Sequence, residues 1–383
     1  MTNNFKRRKF INRLSLAALA ILSKPLKGLG YNTAVNNNSN SMESKPKIIK
    51  KVKPMGFQWE TADPFLFCVH HEDRYPKGNS NMEVTDSLEG RNIGSDFIVK
   101  DGYRMYHGKK VPGFPGHPHR GFETITIVRE GIIDHADSMG AAGRYGDGDV
   151  QWMTAGKGVQ HSEMFPLLNQ DEDNPVELFQ IWLNLPKSNK MVEPHFKMFW
   201  NKSIPVYKHE DAGGNLTSIE VIVGSLKNNT PPTPPPDSWA ANIDNDVAIW
   251  NITLSPNAIY TIPKAKLGVN RTLYFYIGKS INMDGKKIDK YHMVEVNAEH
   301  DLRIENENHE SRILMLQGKP IDEHVVQYGP FVMNTKEEIN QAFEDYHKTG
   351  FGGWPWPRTD QVHSINEGRF ALHANGKKEY GGK

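Results

Sequence analysis

Four residues between positions 117 and 163 are of types that bind metals, and they fall in two close pairs: His117 with His119, and His161 with Glu163. On a β-strand, residues i and i+2 point to the same face, so each pair would present both of its donors together. Three neutral imidazoles suit Fe, Ni, Cu or Zn, and an added carboxylate moves the preference toward a redox-capable divalent ion such as iron. Closed zinc sites usually bring thiolates, and the only cysteine, Cys68, lies in the apolar run Phe65-Leu-Phe-Cys-Val69. Four protein ligands leave room on a five- or six-coordinate ion for a substrate or dioxygen. Glu123 lies four residues after His119 and by the same parity shares the face of the His pair, so spacing alone admits either carboxylate.

The segments around these residues read as strands. Short apolar runs such as Ile125–Val128, Val150–Met153 and Val176–Leu183 are divided by Gly, Pro and Asp about every ten residues, the pattern of a sandwich or barrel and not of alternating βαβ units. Similar runs recur at 248–254, 272–277, 293–296, 302–304 and 312–316, and a weak internal echo between the halves argues for a duplicated β-barrel. The second copy has no His-x-His pair. Pro231–Pro236 reads as a loop. From Asn334 the period changes: Ile339, Ala342, Phe343 and Tyr346 share one helical face behind an Asn334 or Thr335 cap, which predicts a helix on a barrel. The tail beyond Gly350 reads as irregular. His70 and His71, being adjacent, would face opposite ways and suggest a surface or loop role; His107, His135, His195 and His209 are solitary and carry no functional claim.

The 383 residues are comfortable for two domains, and a single cysteine excludes an intrachain disulfide framework. Residues 1–27 hold seven Lys or Arg and no acid, so the rest of the chain is acidic and offers no basic surface to nucleic acid. Lys6-Arg-Arg-Lys-Phe-Ile11, followed by the apolar run Leu14–Leu22, resembles a twin-arginine signal, although it has no Ser or Thr before the pair and no clear small-x-small cleavage site. That resemblance implies export to the periplasm in folded form; a plain basic N-terminus, leaving the protein in the cytoplasm, is the other reading. The expected division is a signal at 1–30, a linker at 31–47, a metal-binding domain at 48–190, a second domain at 191–333 without metal, and a helix with tail at 334–383.

His117-Pro-His-Arg-Gly-Phe-Glu-Thr124, Gly148-Asp-Val-Gln-Trp-Met-Thr-Ala-Gly-Lys-Gly158, His161-Ser-Glu-Met164 and Gln327-Tyr-Gly-Pro-Phe-Val-Met-Asn-Thr335 resemble the pirin family of the cupin superfamily, over roughly residues 48 to 350. The resemblance implies an all-β bicupin, two stacked barrels with a C-terminal helix and with metal only in the first. It places the ligands on His117, His119, His161 and Glu163, with Glu123 in support. It implies an iron-dependent dioxygenase of quercetin 2,3-dioxygenase type, with Ni, Cu, Mn or Zn as other metals. Glu163 would take the proton of a flavonol or similar phenolic before reaction with dioxygen, and Phe122, Trp152, Met153 and Met164 would supply apolar walls. The partners expected are the aromatic substrate and dioxygen, with no nucleic acid, no membrane after signal removal, and a monomer. The alternative it carries is a non-catalytic, iron-responsive regulatory protein.

Overall fold

The computed structural model describes residues 47–382, so the signal expected over 1–30 and nearly all of the 31–47 linker lie outside the described residues. Two β-barrels follow, each made of two facing sheets. In the first, one sheet runs His195–Phe199, Val150–Thr154, Phe122–Glu130, Asn174–Asn184, Phe65–Tyr75, Gln58–Trp59 in spatial order. The facing sheet runs Lys378–Tyr380, Phe370–Leu372, Ala142–Gly146, Ile132–Asp137, Val159–Met164, Gly113–His119. The second barrel pairs a seven-stranded sheet with a four-stranded one of Ile259–Ile262, Leu302–Asn306, Ser280–Met283 and Lys286–Asp289. Its interior is filled with apolar side chains, among them Val221, Trp250, Ile252, Leu273, Val294, Ile304 and Met315.

The barrels pack through the sheet that contains Phe122–Glu130 and the seven-stranded sheet. Ile125, Ile127, Trp152, Ile181 and Leu183 of the first meet Ile249, Tyr274, Tyr276, Leu314 and Leu316 of the second in one buried core. The strand Phe122–Glu130 is therefore buried on both faces, which explains why it reads as a continuous run and not an alternation.

Three expectations need correction. The expected division into 48–190 and 191–333 does not follow the strand pairing at two places. Ile49–Pro54 pairs with Met293–Val296 and neighbouring residues of the second barrel, while His195–Phe199 pairs with Val150–Thr154 of the first. The tail is not wholly irregular: Phe370–Leu372 and Lys378–Tyr380 form a hairpin that joins the first barrel against Ala142–Arg144. His70 and His71 do face opposite ways, but neither is on a surface loop. His71 Nδ1 lies 2.7 Å from the Tyr106 hydroxyl in a buried cluster, and His70 Nε2 lies 2.9 Å from Glu177 Oε1. The predicted helix forms over Lys336–Thr349, with Thr335 and Glu338 completing a capping box and Ile339 and Ala342 buried.

Candidate metal centre

Gly113–His119 and Val159–Met164 are antiparallel neighbours, and their register sets His117 directly opposite His161. The i, i+2 rule then brings His119 to the same face. Ring centroids are 4.5 Å apart for His117 and His161, 4.8 Å for His117 and His119, and 4.9 Å for His119 and His161. One ligand atom from each lies within 4.8 Å of the others, a spacing that one ion could span.

Backbone carbonyls fix two of the rings. His117 Nδ1 donates to Pro115 O at 3.0 Å, and His119 Nδ1 lies 3.4 Å from Pro330 O. This is the outer support metal-binding histidines commonly have, and it leaves Nε2 of each ring facing the cluster. His161 is fully buried with neither ring nitrogen partnered. A buried polar group left so costs about 1–3 kcal/mol, and a metal on one nitrogen removes that nitrogen's share of it. Burial holds the imidazoles neutral, the form that ligates: His117 is pushed down to about 4, and His119 and His161 lie well below the usual histidine range.

Glu163 stands beside the triad rather than closed onto it. Its Oε2 is 3.8 Å from His161 Nε2, while Oε1 lies 2.8 Å from the Thr126 hydroxyl and Oε2 accepts from Gln180 Nε2 at 3.2 Å. Burial raises its pKa. The donor set fits a divalent transition ion, with three imidazoles as the core and a carboxylate within reach.

Glu123 belongs elsewhere. The strand carrying the His pair ends at His119, and Arg120-Gly121 turns the chain before Phe122, so parity does not carry across. At φ +84°, Gly121 has a backbone that side-chain-bearing residues rarely adopt, and a Cβ there would sit 2.0 Å from Val332 O. Lys190 stitches this turn by donating to Gly121 O and Val332 O. Beyond it, Thr126 faces Glu163 whereas Glu123 falls with Ile125 on the barrel interface. There it accepts from Thr154 Oγ1 at 2.7 Å and Ser238 Oγ at 2.5 Å, with burial pushing it up to about 7.

Of the expected apolar walls, Phe122 lies 5.0 Å from the His119 ring. Trp152 does not reach the site, because it lies in the core between barrels. Two neighbours were not foreseen: Trp182, 5.4 Å from His119, and His135, 5.5 Å from His161 and opposite Glu163 in the sheet. Arg120, next to His119, donates to Lys157 O at 2.6 Å and to Asp345 Oδ2 at 2.7 Å.

The Pirin family profile matches residues 55–183, and that of the Pirin C-terminal cupin domain matches residues 249–352. A Pseudomonas aeruginosa protein named "Putative quercetin 2,3-dioxygenase" is 35% identical over 240 residues, covering 62% of this chain and 79% of the relative. Human Pirin is 33% identical over 264 residues, covering 67% and 83%. Among solved structures, a quercetin 2,3-dioxygenase from Acinetobacter baumannii aligns over 80% of this chain and 99% of its own with a TM-score of 0.62. At 24% identity that likeness speaks to the fold alone.

Proposed function

From the membership of this chain in the pirin family of two-domain cupins, we propose that it is a metal-dependent dioxygenase of quercetin 2,3-dioxygenase type, acting on a flavonol or a similar hydroxylated aromatic. The observation that carries the reading is the fully buried His161, with both ring nitrogens unpartnered, between two imidazoles already oriented by carbonyls. The names of relatives such as the Pseudomonas protein support the reaction type.

His117, His119 and His161 would hold the ion, with Glu163 as the fourth ligand when it swings inward; iron is our choice among divalent ions. The bound ion would lower the charge cost of a deprotonated substrate oxygen and admit dioxygen beside it. The chain supplies the rest. Glu163, raised in pKa by burial and steadied by Thr126 and Gln180, is placed to accept the hydroxyl proton of the substrate. Phe122 and Trp182, 4.2 Å apart, offer an aromatic wall beside His119. Export to the periplasm, read from residues 1–30, is part of the same proposal, and cell fractionation should find the protein there.

Elemental analysis followed by oxygen uptake over a panel of flavonols and simple phenols tests the reading. One divalent metal per chain and uptake with a flavonol are expected, both lost in His119→Ala. Uptake by metal-stripped protein, or a loaded protein inert across the panel, would overturn it.

A further inference from the structure

We infer that His135, fixed by Asp137, orients a hydroxyl-bearing ligand at the metal centre as a hydrogen-bond acceptor separate from Glu163. The inference rests on the metal-site reading and assigns a specificity role within it. Both residues lie on the strand Ile132–Asp137, where the register sets His135 opposite Glu163 and Asp137 opposite His161. They therefore point to the inner face of the barrel with the triad, and both are fully buried.

His135 Nε2 lies 3.2 Å from Asp137 Oδ2. The other oxygen of Asp137 accepts from the backbone N–H groups of Met139 and Ala141, each at 2.9 Å, so the carboxylate cannot turn away. A carboxylate only accepts, so Nε2 carries the hydrogen, and in the neutral ring Nδ1 presents a lone pair. That Nδ1 is buried without a partner. The ring is held in place by stacking on Phe196 at 5.0 Å. From outside, His363 Nε2 meets His135 O at 2.9 Å and Trp356 Nε1 donates to Asp137 O at 2.7 Å. With Asp137 on one nitrogen and Phe196 against its face, the ring has Nδ1 left to accept from a ligand.

What it would recognise is a donor. The same barrel holds further buried polar groups without partners, among them the Tyr145 hydroxyl, the Gln151 amide and the Thr124 hydroxyl. Gln151 and Gln180 flank Thr126 in the sheet, and Thr126 reaches Glu163. The wall around Glu163 is thus polar, and along the same two strands it adjoins the aromatic pair beside His119. The ligand class it fits is an aromatic or enol with a hydroxyl next to the oxygen that meets the metal. The metal-binding oxygen belongs to the triad, and the neighbouring hydroxyl donates to His135 Nδ1.

Titration of the Co(II)-loaded protein with 4-nitrocatechol, followed by visible absorbance, tests this, with azide as an anionic probe that has no hydroxyl to donate. In His135→Phe, nitrocatechol binding should weaken at least ten-fold, while azide binding and metal stoichiometry stay as in the wild type. His135→Gln, which keeps an acceptor oxygen, should recover part of the loss. Asp137→Asn, which can donate to Nε2 and so turn Nδ1 into a donor, should lose it again and serves if the Phe variant does not fold. Equal nitrocatechol affinity in wild type and variants overturns the inference alone, as does an equal loss for both probes. A wild type that takes up no metal removes the metal-site reading and this inference with it.

Discussion

Two glutamates forty residues apart show how a residue's environment decides its use. Glu123 and Glu163 are both buried and both raised in pKa, yet one is locked by Thr154 and Ser238 between the barrels while the other faces the triad. Spacing could not separate them, because the parity argument needs an unbroken strand and Gly121 breaks it. The same i, i+2 rule that found His117/His119 and His161/Glu163 also applies to His135-Ala-Asp137, and taking His135 as solitary passed over it. Glu123 gives a measurable consequence. Its folded pKa of about 7 lies above the unfolded value of about 4.5, so the unfolded state binds fewer protons between those values. Its contribution is therefore greatest below about pH 4.5 and is lost as pH rises through 7, on the order of 3 kcal/mol in all. Glu123→Gln should flatten that part of the pH dependence in urea unfolding of metal-free protein between pH 5 and 8. It should also leave metal stoichiometry unchanged; loss of metal would return Glu123 to the site.

Among the elements, the helix was legible and the terminal hairpin was not. The helix announces itself through a cap, acidic first-turn residues and a four-residue apolar stripe. The hairpin consists of two three-residue strands, too short for periodicity, although Asn375-Gly376 between them is a recognised turn signal and Gly376 has φ +82°. What binds this segment to the barrel is mainly Arg144. Its guanidinium is fully buried, pairs with both oxygens of Asp134 at 2.7 Å, and donates to the carbonyls of His363, Ser364 and Glu367. The tail so held lies on the outer face of the sheet whose inner face carries the histidines. Removing one member of a buried pair leaves the other charge stranded, at about 3–5 kcal/mol. Arg144→Leu should accordingly destabilise the protein by that amount and open residues 353–369 to trypsin and chymotrypsin. Arg144→Lys should rescue little, since an ammonium cannot serve two carboxylate oxygens and three carbonyls in one plane. Full protease resistance in Arg144→Leu would show that the hairpin, not the arginine, holds the tail.

At the scale of the whole molecule, one barrel is packed mainly with hydrocarbon and the other keeps polar groups inside. Two copies and the single His-rich site could be read from the chain, since strand spacing and ligand pairs are local. Their exchange of strands could not, because Ile49–Pro54 finds its partner more than two hundred residues away and nothing local distinguishes its destination. That exchange and the shared core make the barrels one folding unit in energetic terms. Trp152 is the largest fully buried side chain at the centre of this contact, 5.9 Å from Phe199 and packed with residues of both barrels. Its neighbours Gln151 and Met153 point to the other face. Trp152→Ala should therefore cost about 3–5 kcal/mol through the cavity it leaves. Because the loss falls on the interface, calorimetry should show the single unfolding transition of the wild type broaden or split. The histidine triad lies across the sheet from this cavity, so the variant should still take up metal to the wild-type stoichiometry below its transition. A single sharp transition merely moved to lower temperature would mean that strand exchange alone is enough to couple the barrels.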